Sequence, residues 1–75
     1  MKVTLVTGSW AKRYVAGESV VLDVPERSTV ADVLKASALP LDEAGMALTG
    51  GRPVTQEHVL SDGDVLKIYP VIIGG

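Results

Sequence analysis

Val71-Ile72-Ile73-Gly74-Gly75 is the segment of this sequence with chemistry of its own. It presents an α-carboxylate on a residue that has no side chain. Such a carboxyl group titrates at about 3.3–3.7, so at neutral pH it is ionised and nucleophilic. It becomes an electrophile only after activation, for which ATP is the expected reagent. A Gly-Gly pair is narrow and free in φ, and it threads a slot that a dipeptide with side chains would block. From Val71 to Gly75 the segment reaches roughly 17 Å when extended, at about 3.3–3.6 Å per residue. Val71, Ile72 and Ile73 favour extended geometry and suit strand-like pairing with side-chain pockets on a partner. Two plainer readings stand beside this one. Val71 to Ile73 extend the last strand and pack, leaving frayed glycines, or the glycines are the residue of a processing event.

The other candidates for chemistry are weaker. Cysteine is absent, which excludes disulfides, Cys-ligated zinc and thiol catalysis. His58 is the single histidine and has no triad or ligand partner in the sequence pattern, so a structural role is expected. Asp42-Glu43 has no second carboxylate pair or histidine nearby and reads as a solvated loop. Ser61-Asp62-Gly63-Asp64 lacks the spacing of a calcium loop and reads as a turn. Trp10, Lys12, Arg13 and Tyr14 make a short basic-aromatic cluster, expected to be a solvated loop between strands. A net charge of −2 and a pI near 5.1 argue against nucleic acid as the main partner.

The elements that must position the terminal segment follow from periodicity. Seventy-five residues make one domain, and a domain of this size buries only about 60% of its unfolded surface. Phenylalanine is absent, so Val, Leu, Ile and Ala must build the core. Val3 to Thr7 alternates as a half-buried strand with Val3 and Leu5 on one face. Ser19 to Val24 alternates again with Val20, Leu22 and Val24 together, and residues 8–17 connect the two as a long irregular hairpin loop. Thr29-Val30-Ala31-Asp32 has the form of a capping box, followed by Val30, Val33 and Leu34 at helical spacing and Lys35 late in a helix that Pro40 keeps short. Met46 to Thr49 is a short strand and Gly50-Gly51 a tight turn. Arg52-Pro53-Val54 returns as an edge piece, because proline cannot donate to a ladder. Val65 to Tyr69 is the last strand, with Leu66 and Ile68 inward and Lys67 outward, after which Pro70 breaks the pairing.

This order predicts an α+β fold: a mixed sheet of four to five strands with one main helix across one face. The first and last strands are central and parallel, since a long crossover separates them. That is the β-grasp. Residues 1–70 form the domain and residues 71–75 a flexible tail.

The strand hairpin, capped helix, Gly turn, Leu60-Ser61-Asp62-Gly63-Asp64-Val65 and terminal Gly74-Gly75 together resemble the ThiS/MoaD family of ubiquitin-like sulfur carriers, over the whole chain. A single proline before Val71-Ile72-Ile73 is closer to the thiamine-type tail. The long connection at residues 8–17 is closer to the molybdopterin type. Gly50-Gly51 stands where the family usually has Asn-Gly. The resemblance implies that an adenylating enzyme of the ubiquitin-activating type binds this protein with ATP and magnesium, which the enzyme and not the carrier holds. The Gly75 carboxylate attacks the α-phosphate to form an acyl-adenylate, and a sulfur donor displaces AMP to leave a thiocarboxylate. A sulfur-accepting synthase then takes the sulfur, in thiamine or molybdopterin biosynthesis. The protein is in that case a cosubstrate and not an enzyme.

Partner contacts are expected from Val71, Ile72, Ile73 and Gly74, with Tyr69 and Lys67 on the last strand. Met46 and Leu48 join them if they lie on the sheet face away from the helix; alternation alone leaves open whether they point there or into the core. Three other functions fit the same pattern: the small subunit of a molybdopterin-synthase-like complex, a ubiquitin-like modifier joined to lysines through Gly75, and a plain β-grasp binding module with an inert tail. With no apolar leader pattern and no long apolar run, a cytoplasmic protein without membrane contact is expected.

Overall fold

The computed structural model describes residues 1–11, 14–15 and 18–71. Five strands and one helix follow one another along the chain: β1 (Lys2–Val6), β2 (Ser19–Asp23), α1 (Val30–Ala36), β3 (Ala44–Thr49), β4 (Arg52–Val54) and β5 (Val65–Pro70). Short 3-10 turns occupy Ser9–Ala11 and Leu41–Glu43. The strands form one sheet in the order β2-β1-β5-β3-β4. β1 and β5 run parallel at its centre, and the other pairs are antiparallel. This is the expected β-grasp. The proline-bearing β4 lies at an edge, where a missing N–H leaves no ladder bond unmade.

Period-two alternation builds the core. Val3 and Leu5 of β1, and Leu66 and Ile68 of β5, are buried against Val30, Val33 and Leu34 of α1, with Leu39 and Leu60 closing the ends. A helix of seven residues is too short to persist alone; burial of one apolar face and a capping box hold it. The Asp32 N–H donates to Thr29 Oγ1 at 3.2 Å, and the Thr29 N–H donates to Asp32 Oδ2 at 3.0 Å. At the other end Ala38 takes φ 68°, the left-handed cap that glycine usually fills.

The two turns read from glycine are present. Gly50 and Gly51 have φ 61° and 76°, the paired positive values of a two-residue hairpin turn. Gly63 has φ 86° in a turn that staples the central strands together. The Lys2 N–H donates to Asp62 Oδ1 at 2.7 Å and the Ser61 N–H to Asp64 Oδ2 at 2.8 Å. The Gly63 N–H reaches Lys2 O at 2.8 Å. Both acids therefore satisfy backbone donors.

Three expectations need correction. The β1–β2 connection is not a solvated loop: Ala11 and Val15 are buried, and Trp10 and Tyr14 pack partly buried against the core. Lys12 and Arg13 of that cluster lie outside the described residues. β3 begins at Ala44 instead of Met46, because a bulge between Ala44 and Ala47 shifts its register on β5. Pro70 does not end the pairing. It is the last residue of β5, opposite Ala44, and the Val71 N–H donates to Glu43 O at 3.2 Å. Pro70 lacks a donor, but its carbonyl and the next N–H remain available to β3. Among the described residues no helix is long and apolar enough to cross a membrane.

Two predictions follow from these contacts. The Asp32 carboxyl is held below its ordinary value, first by the Thr29 backbone N–H, then by the Thr29 hydroxyl, with a smaller attraction from Lys35. A depressed folded value stabilises fully above the unfolded value of about 3.9 and is lost as pH falls through the folded one. Asp32→Asn is therefore expected to lower Tm at neutral pH, with the gap to wild type closing as pH is taken below about 3.9, measured by thermal melts across pH. At the bulge, a Cβ on Gly45 would sit 2.6 Å from Pro70 O and 2.8 Å from Pro70 C. Backbone must move to admit it, so Gly45→Ala is expected to destabilise by about 1–3 kcal/mol in urea titrations.

Candidate functional site

β5 carries the chain from the bottom of the sheet to the root of the terminal segment. Its alternation sends Leu66 and Ile68 into the core and leaves Val65, Lys67 and Tyr69 outward. The cross-strand register decides what surrounds Lys67. Val6 of β1 and Leu48 of β3 are its partners on either side, and Pro53 of β4 lies beyond Leu48. Ala47, one residue from Leu48, pairs with Ile68 and is buried. This settles the choice that alternation left open: Leu48 shares the face away from α1 with Lys67. Met46 and Tyr69 flank that row and are 55% and 51% exposed. The four residues expected to meet a partner on the sheet thus lie on one open face, a cation set among apolar side chains.

At the top of β5 the chain leaves the sheet beside β3. Gly45 permits the close approach of the two backbones, and beyond Pro70 the Val71 N–H donates to the carbonyl of Glu43, just before β3. Val71 is 44% exposed. Trp10, Asp42, Glu43, Pro70 and Val71 line a notch of about 160 Å³ at this point, and the Tyr14 hydroxyl donates to Glu43 Oε2 across its side. Ile72, Ile73, Gly74 and Gly75 lie outside the described residues.

The remaining candidates disperse. His58 is exposed on the rim of an open groove of about 760 Å³ that also takes in Arg52, Gly63 and Val65. That groove lies at the start of β5, the end remote from Val71. Among the described residues no three metal-ligating side chains come together. Sequence reasoning overlooked Trp10, Tyr14 and Gly45. Gly45 carried a usable signal, since an isolated glycine inside a strand pattern points to a bulge or a close backbone approach. Trp10 and Tyr14 were masked by Lys12 and Arg13 between them, although the apolar pair Ala11 and Val15 has the spacing of a buried helical turn.

Solved structures share this architecture. SAMP1 from Haloferax volcanii superposes with a TM-score of 0.78 at 21% identity, each chain covered in full. A putative molybdopterin converting factor, subunit 1, from Pyrococcus furiosus gives 0.77 at 20% identity, over 96% of this chain and 99% of that one. The Haloferax volcanii HVO 2177 protein gives 0.78 at 23% identity, over 100% and 87%. No curated protein sequence matches the chain. The chain thus shares its β-grasp fold with these solved structures. The model of the Mut7-C ubiquitin family matches residues 11–73, most of the sequence and nearly all of its elements, and the chain belongs to that ubiquitin-like family.

Proposed function

We propose that this protein is a sulfur carrier whose Gly75 carboxylate is the reacting group. The observation that carries the reading is where the chain leaves the fold. β5 is central, its C-terminal end is the edge of the domain, and Val71 is exposed there with four further residues to follow. A terminus launched this way reaches into a partner while the sheet stays outside. The structural likeness to a molybdopterin converting factor subunit supports the carrier reading.

The chemistry runs through the partner. An adenylating enzyme holds ATP and magnesium, the terminal carboxylate oxygen attacks the α-phosphorus, and pyrophosphate leaves. The mixed anhydride makes the carbonyl carbon electrophilic. A sulfur donor at the sulfide level attacks it as hydrosulfide, AMP leaves with the bonding pair, the S–H proton is lost to solvent, and the terminal carboxylate becomes a thiocarboxylate. The protein contributes reach, an extended backbone and a docking face, and no catalytic side chain. A synthase then accepts the sulfur, either as a transient partner or as the larger subunit of a stable complex.

The likeness to SAMP1, a small archaeal modifier protein, favours a second outcome for the same activated end: attack by a lysine amine, giving an isopeptide bond. The two share the adenylate and part only at the nucleophile.

Intact mass spectrometry after incubation with a cognate activating enzyme, ATP and a sulfur donor is expected to show one oxygen replaced by sulfur. Conjugates of higher mass instead indicate the modifier, and no change with either, together with activity that survives deletion of Gly74 and Gly75, would leave an inert tail on a binding module. For the docking face, Met46→Asp places an uncompensated charge on an exposed position, so the fold is retained. We expect kcat/KM of adenylation to fall about tenfold or more, equivalent to about 1.4 kcal/mol, with the loss chiefly in KM in steady-state pyrophosphate release.

A further inference from the structure

We propose that Tyr14 and Glu43 are positioning residues that latch the root of the terminal segment and set the direction in which it leaves the fold. The inference rests on the reading of residues 71–75 as the working segment and adds residues outside it.

Pro70 has no N–H, so Val71 carries the first backbone donor after Tyr69. It donates to the residue just before β3, the Glu43 carbonyl at 3.2 Å. The position of that carbonyl is therefore what orients the first free residue of the segment. Local turn bonds hold Glu43 on one side: its N–H donates to Pro40 O at 3.1 Å, and the Ala44 N–H donates to Leu41 O. These fix the turn upon itself, and the Ala44–Pro70 pairing ties its far end to β5. The Tyr14 hydroxyl supplies the outer tie, donating to Glu43 Oε2 across 29 residues of chain. Tyr14 is held in turn. Its N–H donates to Ala11 O at 2.9 Å, its ring packs on the core, and Ala11 and Val15 on either side are buried.

The result is a continuous path of contacts: core, β1–β2 connection, Tyr14 hydroxyl, Glu43 side chain, Glu43 carbonyl, Val71 N–H. Trp10 and Pro70 wall the same notch, so a displaced Glu43 has open volume to move into. Gly45 completes the device by letting β3 lie close enough on Pro70 for the Glu43 carbonyl to meet Val71. A segment held in one direction at its root searches a narrower cone than a free one, which raises the fraction of encounters that enter a partner's slot.

The test has two readouts on the full chain. In amide exchange followed by NMR, Tyr14→Phe keeps the packed ring and removes the donor. The Val71 amide is expected to exchange about threefold faster or more, while Leu66 and Ile68 keep their protection. Glu43→Ala should match it, and Glu43→Gln, whose amide oxygen still accepts from Tyr14, should restore the wild-type rate. In adenylation assays Tyr14→Phe is expected to raise KM for the carrier severalfold with kcat unchanged, and Glu43→Gln to remain near wild type. An unchanged Val71 rate in both Tyr14→Phe and Glu43→Ala overturns the latch. So does loss of protection throughout β5, which would mark Tyr14 as a general packing residue. The exchange result needs no partner, so a latch that behaves as expected in a protein that is never adenylated would count against the carrier reading alone.

Discussion

Pairing of the last strand with the first is the constraint on which the other features depend. A parallel neighbour cannot be reached by a hairpin, so the chain between β1 and β5 must cross over, and it does so through α1, β3 and β4. The crossover supplies the helix that covers one face and the strand that flanks β5 on its far side. It also leaves β5 in the middle of the sheet, hydrogen-bonded on both edges, with Val71 exposed at the sheet's upper rim. The segment that follows is thus rooted in a central strand of the domain, which is where the proposed carrier function needs its anchor. Pulling on it loads two ladders at once, β1·β5 and β3·β5.

The same arrangement divides the side chains by task. Aliphatic residues of β1 and β5 face α1 and are buried, joined in one core by Ala11, Val15, Leu39 and Leu60. Among the described residues no helix covers the opposite face. On it, apolar residues remain exposed around Lys67. Apolar surface kept in water has a solubility cost that a domain needs a use for, and a partner that buries the face relieves it. On the docking proposed here the cation would provide register, since an amine left unpaired in a closed interface is unfavourable and one that meets an acceptor is not.

The helix cap and the glycine turns were legible because each is a local rule, and the central parallel pair because of the long crossover between its strands. Thr29 and Asp32 bond within one turn, Gly50 and Gly51 need positive φ in a two-residue hairpin, and Pro53 excludes itself from a central strand. The β-grasp followed from their order. What was not legible depends on register between distant strands. Nothing in Met46-Ala47-Leu48-Thr49 states which residues face the helix; the pairing of Ala47 with Ile68 does. A bulge displaces the pattern at the start of β3, and proline was read through the donor it lacks and not through the carbonyl it keeps. Trp10 and Tyr14 escaped for a related reason. Their partners, Glu43 and the notch beside Val71, are far along the chain, whereas the charges of Lys12 and Arg13 are adjacent.

The strength of the contacts at the root of the terminal segment fits a part that must be held and then given up. One backbone hydrogen bond contributes about 0.5–1.5 kcal/mol net, and the Val71 bond is half exposed. A phenol-to-carboxylate bond at an exposed acid adds a comparable amount, reduced by competition with water. Their sum lies within a few RT, enough to bias direction in the free protein and small against the pairing energy that several extended residues gain in a partner's groove. Stronger fastening would keep the segment on its own domain. Weaker fastening would leave the partner to meet the full entropy of ordering it, about 1–2 kcal/mol for each residue. A proline at the last strand position serves this balance: it fixes φ at the exit and withholds one donor, so among the described residues the Val71 N–H to Glu43 O is the backbone bond beyond it.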